Sequence, residues 1–275
     1  MTQSALLEQI KSKKSFLCIG LDVDQDLIPL DLKGEQDALF TFCKRIIEVT
    51  APYCVAYKPN IAFFEAYGLE GWRSLQKVMD FLNQQYPEIF TIADAKRADI
   101  GNTSKHYAKA YFEQFEFDSV TVSPYMGKDS VEPFLEYKEK HAILLALTSN
   151  EGASDFQFIN ADGKLLYEQV IERSKSWQNA DRLMYVVGAT KAHALQKIRT
   201  LIPDSFLLIP GVGAQGGSLE EVAVNGLNNE CGLLVNSSRG IIYASSESDF
   251  DKVAGSEAKN LQKQMAFYLR QKGII

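Results

Sequence analysis

The stretch Phe90–Lys96, of sequence FTIADAK, is an apolar run that ends in a carboxylate and an ammonium group. Nearly continuous apolar runs of this length are typical of strands in a parallel sheet that is covered on both faces. Comparable β-rich runs recur along the chain at Phe16–Asp22, Tyr53–Lys58, Ser119–Ser123, Ala142–Thr148, Met184–Thr190, Phe206–Gly211 and Gly232–Ser237. We therefore expect eight strands.

Helical patterns separate these runs. Apolar residues in Leu39–Ile47 and in Trp72–Leu82 recur at the spacing of one helix face, and each interval between strands is long enough for a crossover helix. Eight such units without a linker or a compositional break predict a (β/α)8 TIM barrel, a single α/β domain over residues 1–275, rather than two Rossmann-like halves. Ala258–Lys272 is predicted to be the closing helix.

The longest interval follows the fifth strand. It contains the polar segment Glu151–Asp155, so we expect an added loop or helix near the active face of the barrel.

Composition excludes several classes of protein. With 46% hydrophobic and 23% charged residues, the chain has globular statistics, and its net charge of −6 argues against general affinity for nucleic acid or anionic membranes. The longest apolar run is Ala142–Leu147, far short of the roughly 20 residues that span a bilayer. Residues 1–4 show no secretory signal. We expect a cytoplasmic protein.

The cysteines and histidines show no spacing that indicates metal binding or a catalytic triad. We expect reduced, mostly buried thiols at Cys18, Cys43, Cys54 and Cys231. We expect surface positions for the three histidines, His106, His141 and His193. The sequence therefore predicts neither a metal centre nor serine-triad chemistry.

Charged residues end the first three predicted strands, where barrel enzymes place their chemistry. Asp22 ends the first strand and Lys58 the second. Asp94 and Lys96 lie two residues apart on the third, so their side chains point to the same face, and Asp99 follows in the loop. Buried ionised groups are costly unless paired. Both a catalytic cluster and a structural ion-pair network at the rim fit this pattern.

Two segments around the seventh and eighth strands indicate a phosphate site. Pro210–Gly217, of sequence PGVGAQGG, offers backbone that can approach a ligand closely, although a glycine-rich turn alone also fits a flexible surface loop. Asn236–Gly240 adds hydroxyls, an amide and the Arg239 guanidinium, which suit a phosphate. Because barrels often bind phosphate at these loops, we expect a small phosphorylated substrate.

The stretch Asp94–Thr103, of sequence DAKRADIGNT, resembles the D-x-K-x-x-D-I-x-x-T signature of the orotidine 5′-phosphate decarboxylase family. The resemblance covers nearly the whole chain, in family order. It also includes the segments Gly20–Asp22, Tyr57–Asn60, Thr148–Asn150, Pro210–Gln215 and Ser238–Gly240. The length and the variants Lys58–Asn60 and Thr148–Asn150 resemble the longer bacterial branch of the family rather than the shorter one.

The resemblance implies a cofactor-free enzyme that converts orotidine 5′-monophosphate to UMP and CO₂ in pyrimidine biosynthesis. By motif position, Lys96 would protonate C6 as CO₂ departs. Asp94 would crowd the substrate carboxylate, and Lys58 with Asp99 would complete the charged network.

The same resemblance implies the substrate contacts. Asp22 and Lys58 would contact the ribose, and Ser149 the edge of the pyrimidine. The phosphate end would be formed by Gln215, Ser238 and Arg239. Segments equivalent to Asp99, Ile100 and Thr103 reach into the neighbouring subunit's site in the family, which implies a homodimer.

Two alternatives stay open. Hexulose-phosphate synthases and keto-gulonate-phosphate decarboxylases share D-x-K-x-x-D but use Mg²⁺, held in part by a glutamate near the second strand. This chain has Lys58 there, whose charge disfavours a divalent cation. A non-catalytic barrel that binds phosphometabolites would need a phosphate site but no Lys96.

Overall fold

A computed structural model describes residues 1–213 and 216–275. Within them, eight parallel strands close into a barrel: β1 (Leu17–Leu21), β2 (Ala56–Pro59), β3 (Phe90–Arg97), β4 (Ser119–Val122), β5 (His141–Leu147), β6 (Leu183–Val187), β7 (Leu207–Pro210) and β8 (Leu233–Ser237). Each strand pairs with its sequence neighbours, and β1 pairs with β8 to close the sheet. The predicted (β/α)8 TIM barrel is therefore confirmed, with strand ends shifted by a few residues.

Helices surround the barrel. They are α1 (Gln3–Lys13), α2 (Ala38–Thr50), α3 (Ile61–Glu65), α4 (Gly68–Gln85), α5 (Gly101–Lys109), α6 (Glu132–Leu135), α7 (Leu166–Ser174), α8 (Leu195–Leu201), α9 (Leu219–Gly226), α10 (Arg239–Ile242) and α11 (Phe250–Gln271). The two predicted crossover helices are found as α2 and α4. The closing helix α11 begins earlier than predicted, at Phe250.

Apolar burial explains how strands and helices combine. Every residue of β1, β4, β6 and β8 is buried, because side chains on one face fill the barrel and those on the other meet helices. The periodic face of α2 is buried as well, and its Phe42 stacks on Phe250 of α11 with ring centroids 5.0 Å apart. This packing fixes the positions of the strand ends that carry the polar residues.

The segment between β5 and α7 contains added structure, as predicted from its length. A 3-10 turn spans Glu151–Asp155, and Asn160–Ala161 pairs antiparallel with Lys164–Leu165 in a short hairpin. We call residues 148–165 the β5 insertion.

The four cysteines are free and buried, which confirms the prediction for the thiols. The surface prediction was wrong for His141, which is 5% exposed, and holds for His106 and His193, which are exposed. His141 begins β5, where its Nε2 lies 3.0 Å from the Met1 carbonyl oxygen and its ring centroid 5.8 Å from that of Phe90. Burial lowers the pKa of this imidazole. Among the described residues, no helix is long and apolar enough to cross a membrane.

Candidate active site

Three neighbouring strands bring four charged side chains together at their carboxyl ends. The Lys58 Nζ lies 2.7 Å from Asp94 Oδ2 and 3.9 Å from Asp22 Oδ1. The Lys96 ammonium forms an ion pair with the other oxygen of Asp94. We call Asp22, Lys58, Asp94 and Lys96 the charged cluster.

The backbone of β3 explains how Asp94 and Lys96 meet. The pairing of β3 with β4 passes from Ala93 opposite Val120 to Arg97 opposite Val122, so β3 carries extra residues in a bulge. Lys96 lies in this bulge with φ +48, a left-handed conformation that is uncommon outside glycine. The contact expected from two-residue spacing is present, but an irregular strand produces it.

Electrostatics keep Asp94 and Lys58 of the charged cluster ionised. Burial opposes charge on the Asp94 carboxyl, yet the ammonium groups of Lys58 and Lys96 outweigh it and hold the pKa of Asp94 well below its usual range. Burial likewise opposes charge on Lys58, but Asp94 and Asp22 raise the pKa of this ammonium above its ordinary value. The site therefore presents fixed charges of both signs at neutral pH.

Sequence reasoning missed Thr121, which supports the charged cluster from β4. Its Oγ1 accepts the backbone N–H of Lys96 at 2.9 Å and lies 3.1 Å from Asp94 Oδ1, to which it donates. One hydroxyl thus holds both the bulge and the carboxylate. A buried threonine inside an apolar strand beside the motif was the only sequence signal for this role.

A cavity of about 410 Å³ opens above the charged cluster, a size suited to a small ligand. It is lined by Asp22, Lys58, Asn60, Asp94, Lys96, Thr121, Leu145, Thr148, Ser149, Asn150, Val186, Leu208, Pro210, Gly211, Val212, Asn236, Ser238 and Arg239. The structure therefore brings the charged cluster and the predicted residues Ser149, Ser238 and Arg239 to one cavity. Asn236, whose amide was expected to suit a phosphate, also lines the cavity. Asn60 and Asn150 lie there as well, although neither was predicted to be a site residue.

The end of the cavity formed by β7 and β8 contains the groups expected to hold phosphate. Ser238 accepts a hydrogen bond from the Asn236 amide at 3.2 Å, and Arg239 begins α10 with an exposed side chain. A Cβ on Gly20 would lie 1.8 Å from Ser238 Oγ, so only glycine lets β1 approach this closely. Gln215 lies outside the described residues.

Three predicted site residues do not line this cavity. The Asp99 carboxylate accepts the Ile100 N–H at 2.6 Å, at the start of α5. Ile100 is 63% exposed, and Thr103 is exposed on the same helix. Within one chain, the fourth member of the charged cluster is Asp22 rather than Asp99.

A closed parallel barrel with ionised side chains gathered at the carboxyl ends of its strands defines the class of (β/α)8-barrel enzymes. The family described as "Orotidine 5'-phosphate decarboxylase / HUMPS family" matches residues 15–249. A relative from Christiangramia forsetii, named orotidine 5'-phosphate decarboxylase, is 61% identical over 271 residues, which cover 98% of this chain and 100% of the relative. The chain belongs to this family, as the resemblance in its third strand predicted.

Two solved structures from Leishmania donovani agree with this assignment. The OMP decarboxylase superposes with a TM-score of 0.80 at 37% identity, over 96% of this chain and 100% of that one. The UMP synthase gives a TM-score of 0.82 at 38% identity, and the match covers 95% of this chain but 57% of that longer chain.

Proposed function

We propose that the protein decarboxylates orotidine 5′-monophosphate to UMP and CO₂, with Lys96 as the proton donor to C6. Family membership and the high identity to a protein named for this activity support the reaction. The observation that carries the mechanism is the double ion pair of Asp94, one of whose oxygens meets Lys58 and the other Lys96.

The charged cluster accounts for the direction of the chemistry. A substrate carboxylate beside Asp94 is repelled, by about 4 kcal/mol for two unit charges about 4 Å apart at an effective dielectric constant near 20. When the C6–carboxylate bond breaks, CO₂ leaves and the electron pair stays on C6. The Lys96 ammonium then faces a carbanion and transfers its proton to it. Interactions that improve toward the transition state in this way raise the rate of the chemical step.

The remaining substrate contacts are carried over from the family by motif position, and those of the residues that the structure describes line the cavity. Asp22 and Lys58 would contact the ribose hydroxyls, and Ser149 the pyrimidine edge. Arg239, Ser238 and Gln215 would hold the phosphate. Charge supports a mechanism without Mg²⁺, because the Lys58 ammonium already neutralises Asp94 and lies near Asp22, where a divalent cation would be repelled.

The test is CO₂ release from orotidine 5′-monophosphate by purified protein in the presence of EDTA. We expect full activity, with UMP formed in equal amount. Activity that disappears with EDTA and returns with Mg²⁺ would favour the metal-dependent members of the family. Binding of UMP without any turnover would favour a phosphometabolite-binding barrel.

The functional unit is proposed to be a homodimer in which Asp99, Ile100 and Thr103 complete the partner subunit's site. Their position outside the cavity of their own chain and the exposure of Ile100 support this arrangement.

Mixing two inactive variants tests the shared site. Lys96→Ala and Asp99→Ala subunits form mixed dimers in which one of the two sites keeps both residues. With random pairing, half of the dimers are mixed, so we expect about a quarter of wild-type activity to return. No recovery after confirmed subunit exchange would place Asp99 in the site of its own chain.

A further inference from the structure

Gln157, in the β5 insertion, holds one residue of the cavity through two hydrogen bonds. Its Oε1 accepts the backbone N–H of Thr148 at 2.8 Å, and its Nε2 donates to Thr148 Oγ1 at 2.8 Å. Thr148 directly follows β5 and lines the cavity. A single carboxamide thus fixes both the backbone and the side chain of this residue.

The hydrogen bonds continue from Thr148 to Asn150. Because Thr148 Oγ1 accepts from Gln157, its own proton is free to be donated, and Asn150 Oδ1 lies 2.6 Å away. A hydroxyl has one proton, so the Gln157 donor determines the direction of the whole relay. With its carbonyl oxygen engaged, Asn150 keeps its amide N–H groups for a ligand in the cavity that it lines.

Gln157 is itself held in place by the rest of the insertion. Its backbone N–H donates to the Ala153 carbonyl at 2.9 Å, and its carbonyl accepts the N–H of Tyr167, in α7, at 3.1 Å. The next residue, Phe158, packs edge-on against the Tyr167 ring with centroids 6.0 Å apart. The insertion therefore links the end of β5 to α7.

We infer that Gln157 is a positioning residue, which orients Thr148 so that Asn150 presents hydrogen-bond donors to the carbonyl oxygens of a pyrimidine. This inference rests on the proposed function, since it deepens the recognition of the same substrate. A pyrimidine ring carries carbonyl acceptors, which amide N–H donors match. Arg239 and Ser238, at the β7 and β8 end, recognise the phosphate separately.

The experiment compares two ligands that share ribose and phosphate, of which only one carries a base. UMP and ribose 5-phosphate are titrated calorimetrically into the wild type and into the variants Gln157→Ala and Gln157→Glu. Gln157→Glu keeps an acceptor for the Thr148 N–H but lacks the donor, so the Thr148 hydroxyl turns to the glutamate and releases Asn150. We expect both variants to bind UMP about tenfold more weakly, as the loss of one oriented hydrogen bond predicts.

Ribose 5-phosphate affinity should change by less than about twofold, because this ligand has no base for Asn150 to contact. In turnover, the KM for orotidine 5′-monophosphate should rise more than kcat falls. The matched control is Gln169→Ala, which removes a glutamine of the same region whose Nε2 donates to the Ala161 carbonyl at 2.5 Å, away from Thr148. It should bind both ligands as the wild type does.

An equal loss of affinity for UMP and ribose 5-phosphate would show a general loosening of the site and overturn the inference. Unchanged UMP affinity in Gln157→Ala would overturn it as well. UMP affinity lost in Gln157→Ala but retained in Gln157→Glu would overturn the relay to Asn150. A wild type that binds UMP but releases no CO₂ would contradict the proposed function alone. An active wild type with unaltered UMP affinity in the Gln157 variants would contradict only this inference.

Discussion

The two ends of the cavity hold their cations differently. At the β1–β3 end, Lys58 is 3% exposed and its Nζ lies 2.7 Å from Asp94 Oδ2. At the β7–β8 end, Arg239 is the first residue of a short helix and its side chain is exposed. Within residues 1–213 and 216–275, the Arg239 guanidinium has neither an ion pair nor a hydrogen-bond partner. At the β1–β3 end, the charges are therefore paired before any ligand binds. At the β7–β8 end, the guanidinium is available to pair with an anionic ligand.

The contrast follows from how each group is supported. Lys58 and Asp94 extend from strands whose register the barrel fixes, and Thr121 holds the bulge that contains Lys96. Electrostatic groups fixed in advance need no reorganisation during the reaction, which suits the chemical step. An exposed guanidinium is screened by water and salt, which suits capture and release of a phosphate. We therefore propose that the β1–β3 end of the cavity mainly determines the rate of the chemical step and the β7–β8 end the affinity for the substrate.

The largest expected effect comes from Lys96→Ala. Removing the proposed proton donor and one charge of the charged cluster should lower kcat by at least about 10³-fold. Binding of UMP should stay within a few-fold of wild type, because Arg239 and Ser238 are untouched. Initial rates of CO₂ release and calorimetric titration with UMP measure the two quantities.

Lys77→Ala is the matched control for this variant, since Lys77 forms an ion pair with Asp37 at 2.6 Å on the surface. It should leave both quantities unchanged. If Lys96→Ala lost folding and UMP binding along with activity, the cluster would be a structural ion-pair network rather than catalytic machinery.

The next effect is on stability. Asp94→Asn leaves the buried Lys58 without its closest carboxylate, which we expect to cost about 3 kcal/mol in the free energy of unfolding at pH 7. The pKa of Asp94 is depressed in the folded state, so its stabilising contribution is present above its ordinary pKa of about 4 and is lost as pH falls below that value. The difference in the free energy of unfolding between wild type and Asp94→Asn, measured by urea denaturation, should therefore become smaller from pH 7 to pH 3.

Asp37→Asn provides the comparison, because its pairing with Lys77 is partly exposed. This variant should differ from wild type by less than about 1 kcal/mol at pH 7. If the difference in unfolding free energy between wild type and Asp94→Asn stayed constant from pH 7 to pH 3, the lost stability would not come from the ionised carboxylate.

The contrast between the two ends also explains what the sequence could predict. The barrel followed from eight apolar runs, because it depends on local periodicity. The contact between Asp94 and Lys96 was expected from their two-residue spacing, but the bulge in β3 produces it. The bulge at Lys96 could not be predicted, since its φ of +48 results from pairing with β4. Thr121 and Gln157 were missed for the same reason, as their roles depend on contacts across a sheet and a loop.

His141 shows a different limit of prediction from sequence. A surface position was predicted because histidines commonly lie there, but at the start of β5 the ring of His141 contacts Met1 and Phe90 and is buried. Asp99 shows a further limit of prediction from sequence. Its motif position joins it to Lys96, whereas its location in one chain places it outside the cavity. The proposed homodimer would account for this difference.

The smallest expected effect is that of salt. Raising NaCl from 0.1 M to 1 M shortens the screening length from about 10 Å to about 3 Å. The attraction between the exposed Arg239 and a phosphate should weaken, so the KM for orotidine 5′-monophosphate should rise a few-fold. The value of kcat should stay nearly constant, because Lys58 is buried and the Asp94 side chain is only 12% exposed, so both are screened less.

Arg239→Ala identifies the source of that dependence. This variant should have a KM about 10-fold to 100-fold higher at low salt, as expected for one charge-assisted contact, and a flatter response to NaCl than wild type. A salt dependence of KM that persists unchanged in Arg239→Ala would place the salt-sensitive contact elsewhere. If kcat fell with salt while KM did not, the charged cluster would be the screened end of the cavity, and the division of roles between the two ends would be reversed.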